Sequence, residues 1–294
     1  MKPTLAIDVG ATTTRVATVD DPGRIGAIRR FATPESSAAL VDLIATAAGR
    51  LRTDSAMGCD SFDAVCMAVP GILSPDTKTV ARSVHASWLE GAPLSATLEQ
   101  RLGAPVRLAT DAAAATFGEY SQIQDAGAAF AHLRLGTGVA FGLIVDGQWQ
   151  TLPRPDLGHL TCLRLPADLL DMPCTCGQRG CLEAVASGAA LERAACVGLV
   201  ALQARVDRGD AAAAAILRAA GDAVLHVAAG IVRRWGVEAF VIGGGVCAGL
   251  PCLAEMLLRD GAGEPKLPLQ AARLGDDAGV IGVAMACGPE RSGV

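Results

Sequence analysis

Short apolar runs, each closed by a turn, dominate the first third of the chain. Residues 5–10 form one such run, and the apolar positions at 15–19 and 25–31 predict two more strands. Apolar residues at helical spacing then follow at 36–51, where a serine is available as the N-cap. The pattern therefore predicts an α/β chain that opens with three strands and a helix.

Strands and helices continue to alternate as far as residue 287. Further strands are predicted at 62–69, 106–109, 129–135, 139–145, 238–242 and 267–273. Further helices are predicted at 95–102, 112–120, 184–206, 210–235, 253–259 and 280–287. Asp210 is the expected N-cap of its helix, and residues 83–88 are expected to be irregular.

One pattern, a strand, a glycine-threonine turn and a returning strand, occurs twice. The first turn contains Gly10, Thr12 and Thr13, and the second turn contains Gly136, Thr137 and Gly138. Amides and threonine hydroxyls donate hydrogen bonds and glycine permits close approach, so such a turn suits a phosphate group. An ordinary β-hairpin explains either copy alone equally well, but the repetition favours phosphate binding.

Two aspartates stand where strands end. Asp8 precedes the first turn, where a carboxylate suits Mg²⁺ held through water. Asp111 follows Thr110 between a strand and a helix, the place where ligands meet catalytic groups in α/β sheets. A simple helix N-cap is the alternative interpretation of Asp111, and the residues alone leave both open.

Three glycines, Gly243, Gly244 and Gly245, follow the strand at 238–242. A strand end without side chains lets a flat adenine ring lie against the backbone, so this run is a candidate adenosine contact. The sequence contains no Gly-x-x-x-x-Gly-Lys-Ser/Thr phosphate loop.

Three cysteines, Cys174, Cys176 and Cys181, lie within eight residues, with two glycines that let the backbone curl between them. A tetrahedral zinc ion needs a fourth ligand, and the nearest histidine upstream is His159. The spacing favours a Cys₃His zinc site, with three unrelated thiols in a loop as the alternative.

Two carboxylates, Asp156 and Glu183, flank the cysteine cluster. Together with a histidine they could shape a pocket for a polar substrate. The segment at 163–173, between the histidine and the cysteines, has no role that its residues indicate.

Composition narrows the class of protein. The 294 residues are 51% hydrophobic, 19% charged and 3% aromatic, which is enough for two lobes with cores of Ala, Val, Leu and Ile. A net charge of −5 gives no reason to expect a nucleic-acid partner. Ten cysteines behind a start without a signal peptide indicate a reducing cytoplasm. The weakly charged stretch at 241–254 is too short to span a bilayer, so no membrane contact is expected.

Taken together, these motifs resemble the ROK family of sugar kinases over residues 5–286. The segment from Cys174 to Glu183 is the most specific, since it matches the pattern Cys-x-Cys-Gly-x-x-Gly-Cys-Leu-Glu completely. The remaining segments resemble, in order, the first phosphate, catalytic, second phosphate, sugar-binding and adenosine motifs: residues 8–12, 110–112, 136–138, 156–159 and 242–245.

The resemblance implies an actin-like, ribonuclease-H-like fold of two α/β lobes with a duplicated βββαβαβα core. One lobe would comprise residues 1–118 completed by the C-terminal helix at 280–294. The other would comprise residues 119–279 and carry the zinc loop. The family also suggests a homodimer.

The implied activity is transfer of the γ-phosphoryl group of ATP to a sugar, most plausibly to the 6-hydroxyl of a glucose-like hexose. Asp111 would be the general base, Asp8 would organise Mg²⁺, and a structural Zn²⁺ would bind His159 and the three cysteines. The two glycine-threonine turns and the glycine run would hold the nucleotide. The implied sugar contacts are Thr110, Asp111, Asp156, His159 and Glu183.

Some positions depart from the family pattern. Thr110 stands in place of Asn, Asp156 in place of Glu, and residues 83–88 lack the Asn that precedes Trp. These changes affect sugar contacts more than phosphate contacts. The alternative function is therefore a sugar-sensing or regulatory protein of this type with weak or no kinase activity. Repressors that resemble this family carry a helix-turn-helix before the kinase-like region. Here Leu5 already begins the first strand, so DNA binding is not expected.

Overall fold

Two compact units, each built on a five-stranded sheet, make up the chain. The computed structural model describes residues 2–20, 24–54, 61–83, 86–124, 126–150, 165, 167–175, 177–262 and 266–287. The first unit comprises residues 1–122 together with 276–294, and the second unit comprises residues 123–275.

The first unit has the strand order β3-β2-β1-β4-β7. Its elements up to residue 122 are β1 (Thr4–Val9), β2 (Thr13–Asp20), β3 (Arg24–Ala32), α1 (Ser37–Asp54), β4 (Val65–Val69), β5 (Ile72–Leu73), β6 (Val80–Arg82), α2 (Leu94–Leu102), β7 (Val106–Thr110) and α3 (Asp111–Tyr120). Strands β1, β2 and β3 form an antiparallel meander, whereas β1, β4 and β7 run parallel. Every residue of β4 is buried, as expected for a parallel strand that is covered on both faces.

The second unit has the strand order β10-β9-β8-β11-β12. Its elements are β8 (Ala129–Leu135), β9 (Val139–Val145), β10 (Gln148–Trp149), α4 (Glu183–Ala186), α5 (Gly188–Ala195), α6 (Leu199–Asp207), α7 (Ala211–Trp235), β11 (Ala239–Gly243), α8 (Gly245–Gly249), α9 (Pro251–Gly261) and β12 (Leu269–Ala271). The last helix, α10 (Ala278–Ala286), belongs to the first unit. Both sheets thus join a three-stranded antiparallel meander to two parallel strands, so the predicted internal repeat is confirmed.

Helix α7 shows how local sequence sets the boundaries. The carboxylate of Asp210 accepts hydrogen bonds from the amides of Ala212 (2.9 Å) and Ala213 (3.1 Å), which confirms the predicted N-cap. Gly236 ends the helix in the left-handed conformation at φ +63°. Leu217, Val224 and Ile231 lie seven residues apart and are all buried, so one face packs into the core.

By length and composition α7 could also cross a bilayer, the one such helix within the described residues, whereas no membrane segment is predicted from the sequence. In its most apolar 18-residue window, 44% of the residues are buried inside the protein, and the core helix of a soluble protein meets the same criteria. The finding is weak support for a membrane span.

The prediction of a single helix at 184–206 is wrong, because the chain forms three helices there: α4, α5 and α6. Ser187 is extended at φ −74° and ψ 156°, and its hydroxyl accepts a hydrogen bond from the amide of Ala190 as the N-cap of α5. Cys196 then takes the left-handed conformation at φ +56°. The alanine-rich composition favours a helix but does not reveal these breaks, which depend on tertiary contacts.

Gly244 makes the turn between β11 and α8 possible. Its φ of +99° is one that L side chains rarely adopt, and a Cβ placed there would lie 2.3 Å from the carbonyl oxygen of Leu135. Strand β11 is parallel to β8, with Gly243 opposite Arg134, so the glycine run lies at the carboxyl ends of these two strands.

We expect Gly244→Ala to lower the free energy of unfolding by about 1–3 kcal/mol, because both the φ value and the Leu135 carbonyl oppose a side chain. Gly245→Ala is the matched control, since nothing lies within 4 Å of its added Cβ. Urea denaturation of both variants measures the difference. Equal stability of the two variants would contradict the assignment.

His132 predicts a dependence of stability on pH. Burial in β8, aided by the charge of Arg134, lowers the pKa of His132 to about 3 from the usual 6.5. In the unfolded chain the His132 ring binds a proton near pH 6.5, whereas in the folded chain it stays neutral until about pH 3. The free energy of unfolding therefore falls as the pH drops from 6.5 towards 3. Between pH 7.5 and 5, wild type should lose about 2 kcal/mol more than His132→Gln, measured by urea denaturation. Parallel losses, or a His132 ring that titrates near pH 6.5 by NMR, would refute this.

Candidate active site

The first glycine-threonine turn is fixed by hydrogen bonds from two directions. The amide of Gly10 donates to the carbonyl of Thr13 at 3.0 Å, which closes the turn. Thr33 directly follows β3 and makes two hydrogen bonds to the turn. Its hydroxyl donates to the carbonyl of Gly10 at 2.7 Å, and its backbone amide donates to the carbonyl of Thr12 at 3.0 Å. Thr12 remains exposed at the tip. The turn thus presents its threonines to solvent on a backbone that is already ordered.

Asp8 is buried next to this turn and faces a cation. Arg15 lies directly opposite Asp8 across the β1–β2 pair, and its Nη1 is 3.6 Å from Asp8 Oδ2. Its Nη2 donates to Asp276 at 2.7 Å. A Cβ added to Gly279 would lie 2.5 Å from Asp8 Oδ2, so the first turn of α10 lies against the carboxylate. The guanidinium offsets part of the cost of burying the charge.

Arg15 is a site residue that the motifs did not indicate, although its position in the hairpin carries a signal. In a hairpin that turns between residues 11 and 12, residue 15 is paired with residue 8, so the predicted hairpin already places an arginine beside the aspartate. With a guanidinium on one side, Asp8 suits a hydrated cation held through water better than a directly bound one. The described residues around Asp8 therefore fit the water-mediated Mg²⁺ contact.

Asp111 is not the N-cap of α3. That role belongs to Thr110, whose hydroxyl accepts a hydrogen bond from the amide of Ala113 at 3.1 Å. Asp111 is the first helical residue, is half-buried, and its Oδ1 accepts a hydrogen bond from the amide of Ala112 at 2.9 Å. The cap-only interpretation is therefore wrong. Thr110 already uses its oxygen as an acceptor and retains its hydroxyl proton for donation.

Both aspartates lie at one edge of the first unit's sheet. Strands β1, β4 and β7 are parallel neighbours, with Asp8 opposite Ala68 and Val69 opposite Thr110. One strand separates β1 from β7, so their backbones are about 10 Å apart. Asp8, Asp111 and the first turn thus share the carboxyl edge, where ligands bind in α/β sheets.

The second turn has a similar construction. The amide of Gly136 donates to the carbonyl of Gly138 at 2.9 Å, and the carbonyl of Gly136 accepts from the amide of Gly188 at 2.7 Å. The amide of Val139 donates to Glu183 Oε2 at 2.9 Å. Thr137 is exposed at the tip, as Thr12 is in the first unit.

The glycine run lies beside this second turn. Gly244 approaches Leu135, the residue before Gly136, and a Cβ on Gly243 would collide with that of Ala272 at 2.3 Å. The second phosphate candidate and the adenosine candidate are therefore neighbours at one edge of the second unit's sheet.

The cysteine loop curls as its glycines predict. Gly177 and Gly180 have φ values of +86° and +69°, and a Cβ on Gly180 would lie 2.8 Å from the carbonyl oxygen of Leu170. The amide of Gly177 donates to the carbonyl of Cys174 at 3.0 Å, which closes a tight turn. Cys174 is half-buried and Cys181 is buried.

Three predicted site residues, Asp156, His159 and Cys176, lie outside the described residues. Two of the four predicted zinc ligands are among them. Within the part of the chain that the structure describes, no three His, Cys, Asp or Glu side chains form a metal-binding group. The described part of the loop supplies two of the predicted thiols and a tight turn, and the complete ligand set stays a prediction.

Known proteins resemble this chain over most of its length. It is 27% identical to a ROK hexokinase from Thermus thermophilus, with a TM-score of 0.79 over 96% of this chain and 97% of that one. It is 26% identical to a ROK family glucokinase from Streptomyces griseus, solved with glucose and AMPPNP, with a TM-score of 0.73 over 96% and 98% of the two chains. These likenesses confirm the predicted actin-like fold class.

A curated relative, the N-acetylmannosamine kinase of Haemophilus influenzae, is 32% identical over 189 residues, which are 64% of this chain and 60% of that protein. The family model described as "ROK family" matches residues 4–287. The chain therefore belongs to the ROK family, as its motifs predicted.

Proposed function

We propose that the protein is an ATP-dependent kinase that phosphorylates the 6-hydroxyl of a hexose or N-acetylhexosamine. One observation carries the proposal: Asp8, Asp111 and the first glycine-threonine turn occupy a single carboxyl edge of the sheet in a chain of the ROK family. The names of the similar proteins support a sugar substrate.

Asp111 is the general base in this proposal. It accepts the proton of the attacking sugar hydroxyl, and the hydrogen bond from the Ala112 amide holds its carboxylate in place. In phosphoryl transfer, alignment of the nucleophile and neutralisation of charge account for most of the rate enhancement. The fixed position of Asp111 at the start of α3 supports that role.

Each unit carries groups that suit part of a nucleotide. ATP supplies the phosphoryl group, and Mg²⁺ neutralises charge on the phosphates. In the first unit, Asp8 holds the hydrated ion, and the hydroxyls of Thr12 and Thr13 suit phosphate oxygens. In the second unit, the hydroxyl of Thr137 suits the same chemistry. The run from Gly243 to Gly245 provides a surface without side chains for adenosine.

The sugar contacts and the structural zinc rest on the family pattern. Thr110, Asp156, His159 and Glu183 contact sugar hydroxyls, and His159 with the three cysteines holds the zinc. Glucose, the finer expectation from the motifs, competes here with N-acetylmannosamine, which the name of the Haemophilus influenzae relative specifies. A cytoplasmic location and a homodimer also belong to the proposal.

A sugar panel tests the activity. Wild-type protein with ATP and Mg²⁺ should release ADP only when one of glucose, mannose, fructose, N-acetylglucosamine or N-acetylmannosamine is present. Asp111→Asn should lower kcat by about 10²–10⁴-fold, because the amide cannot accept the proton. Asp210→Asn, the same exchange at another helix N-terminus, is the control and should keep full activity, since asparagine also caps a helix.

Two results would count against the kinase. An Asp111→Asn variant as active as wild type would remove the general base. Calorimetric sugar binding without turnover across the panel would favour the sensor. The observation that favours the sensor is that the Thr110 oxygen already accepts from the Ala113 amide, which leaves only the hydroxyl proton for a sugar.

Elemental analysis tests the zinc. Freshly purified protein should hold one zinc per chain, and Cys181→Ser should lower both the zinc content and the sugar affinity, since the metal orders the loop beside the sugar. Cys196→Ser, an exposed cysteine outside the loop, should change neither. Metal-free wild type, purified without chelator, would remove the zinc site.

A further inference from the structure

We infer that Glu183 is a positioning residue that fastens the cysteine loop to the second phosphate turn, so that nucleotide affinity depends on it. This inference rests on the proposed function, because it takes the turn from Gly136 to Gly138 as a phosphate contact. It assigns Glu183 a role beyond the sugar contact that the family pattern implies.

The first link is a buried bond to the turn. Glu183 is 8% exposed, and its Oε2 accepts the amide proton of Val139 at 2.9 Å. Val139 is itself 3% exposed and directly follows the turn. The hairpin itself does not provide this charge-assisted bond, and a buried amide that loses its acceptor is strongly destabilised.

The second link runs from the same carboxylate to the cysteine loop. Glu183 Oε1 accepts the hydroxyl proton of Thr175 at 3.2 Å and lies 3.9 Å from Cys174 Sγ. One carboxylate therefore joins the loop on one side to the start of β9 on the other. A shift of the loop moves the acceptor of the Val139 amide.

A third contact secures the other side of the turn. Gly188 donates its amide proton to the carbonyl of Gly136 at 2.7 Å, and a Cβ on Gly188 would lie 3.1 Å from that oxygen. The one-turn helix α4 begins at Glu183 and ends two residues before Gly188. These two residues hold the segment from Gly136 to Val139 at both of its ends.

This arrangement separates two roles that a mutation could reveal. A glutamate that only binds sugar affects sugar affinity and leaves the nucleotide untouched. A glutamate that holds the turn also affects nucleotide affinity when no sugar is present, because preformed donors bind phosphate without paying for their own ordering.

The test measures ADP and sugar affinities separately by calorimetry, in the full-length protein. Glu183→Met keeps the volume and removes both acceptors, so ADP affinity without sugar should fall about tenfold. Glu183→Gln retains an amide oxygen for Val139 and should stay within about threefold of wild type. Glu238→Met is the control: Glu238 Oε1 accepts the amide proton of Ala128 at 2.7 Å, just before β8 and at the far end of that strand from the turn, and ADP affinity should not change.

Thr175→Val is the second variant, because it cuts only the loop side without changing the size of the side chain. We expect about threefold weaker ADP binding and faster hydrogen exchange at the Val139 amide, even if Glu183→Met fails to fold. Unchanged ADP affinity in the folded Glu183 and Thr175 variants, with only sugar affinity lost, would overturn the inference. Wild type that binds no ADP would instead overturn the proposed function.

Discussion

In each glycine turn, the carbonyl of the first glycine accepts a hydrogen bond from a residue outside the turn. The candidate site depends on these two hydrogen bonds. Thr33 donates to Gly10 in the first unit, and Gly188 donates to Gly136 in the second. A turn of glycine and small polar residues has no side chain to pack, so its shape must be set by hydrogen bonds from its neighbours. Once the shape is set, the exposed Thr12 and Thr137 stand on a fixed backbone, which suits the binding of an anion.

Each unit also places a buried carboxylate beside its turn, and the two carboxylates are stabilised differently. Asp8 faces the guanidinium of Arg15, whereas Glu183 accepts a backbone amide and a hydroxyl. Burial of a carboxylate is expensive without such partners. The pairing with Arg15 leaves Asp8 suited to a hydrated cation, and the pairing with Val139 makes Glu183 part of the scaffold.

Local patterns predicted most of the fold. The two hairpins, the N-cap of α7 and the position of Asp111 at a strand end all follow from apolar periodicity and turn residues. Local sequence could not predict the helix break at Ser187. The adjacent Gly188 donates its amide proton to the carbonyl of Gly136, which is distant in sequence. The bond between Glu183 and Val139 joins residues far apart in sequence and was likewise hidden. The position of Arg15 could have been predicted, since hairpin pairing alone puts it opposite Asp8.

The close approach of Gly279 to Asp8 has a consequence for the order in which the molecule is made. Asp8 is synthesised before the second unit, whereas α10 is synthesised only after the whole of that unit. A nascent chain that has just completed β12 therefore carries Asp8 without the helix that lies against it. The surroundings of this carboxylate can be completed only after α10 has been synthesised, through a contact of very long sequence separation.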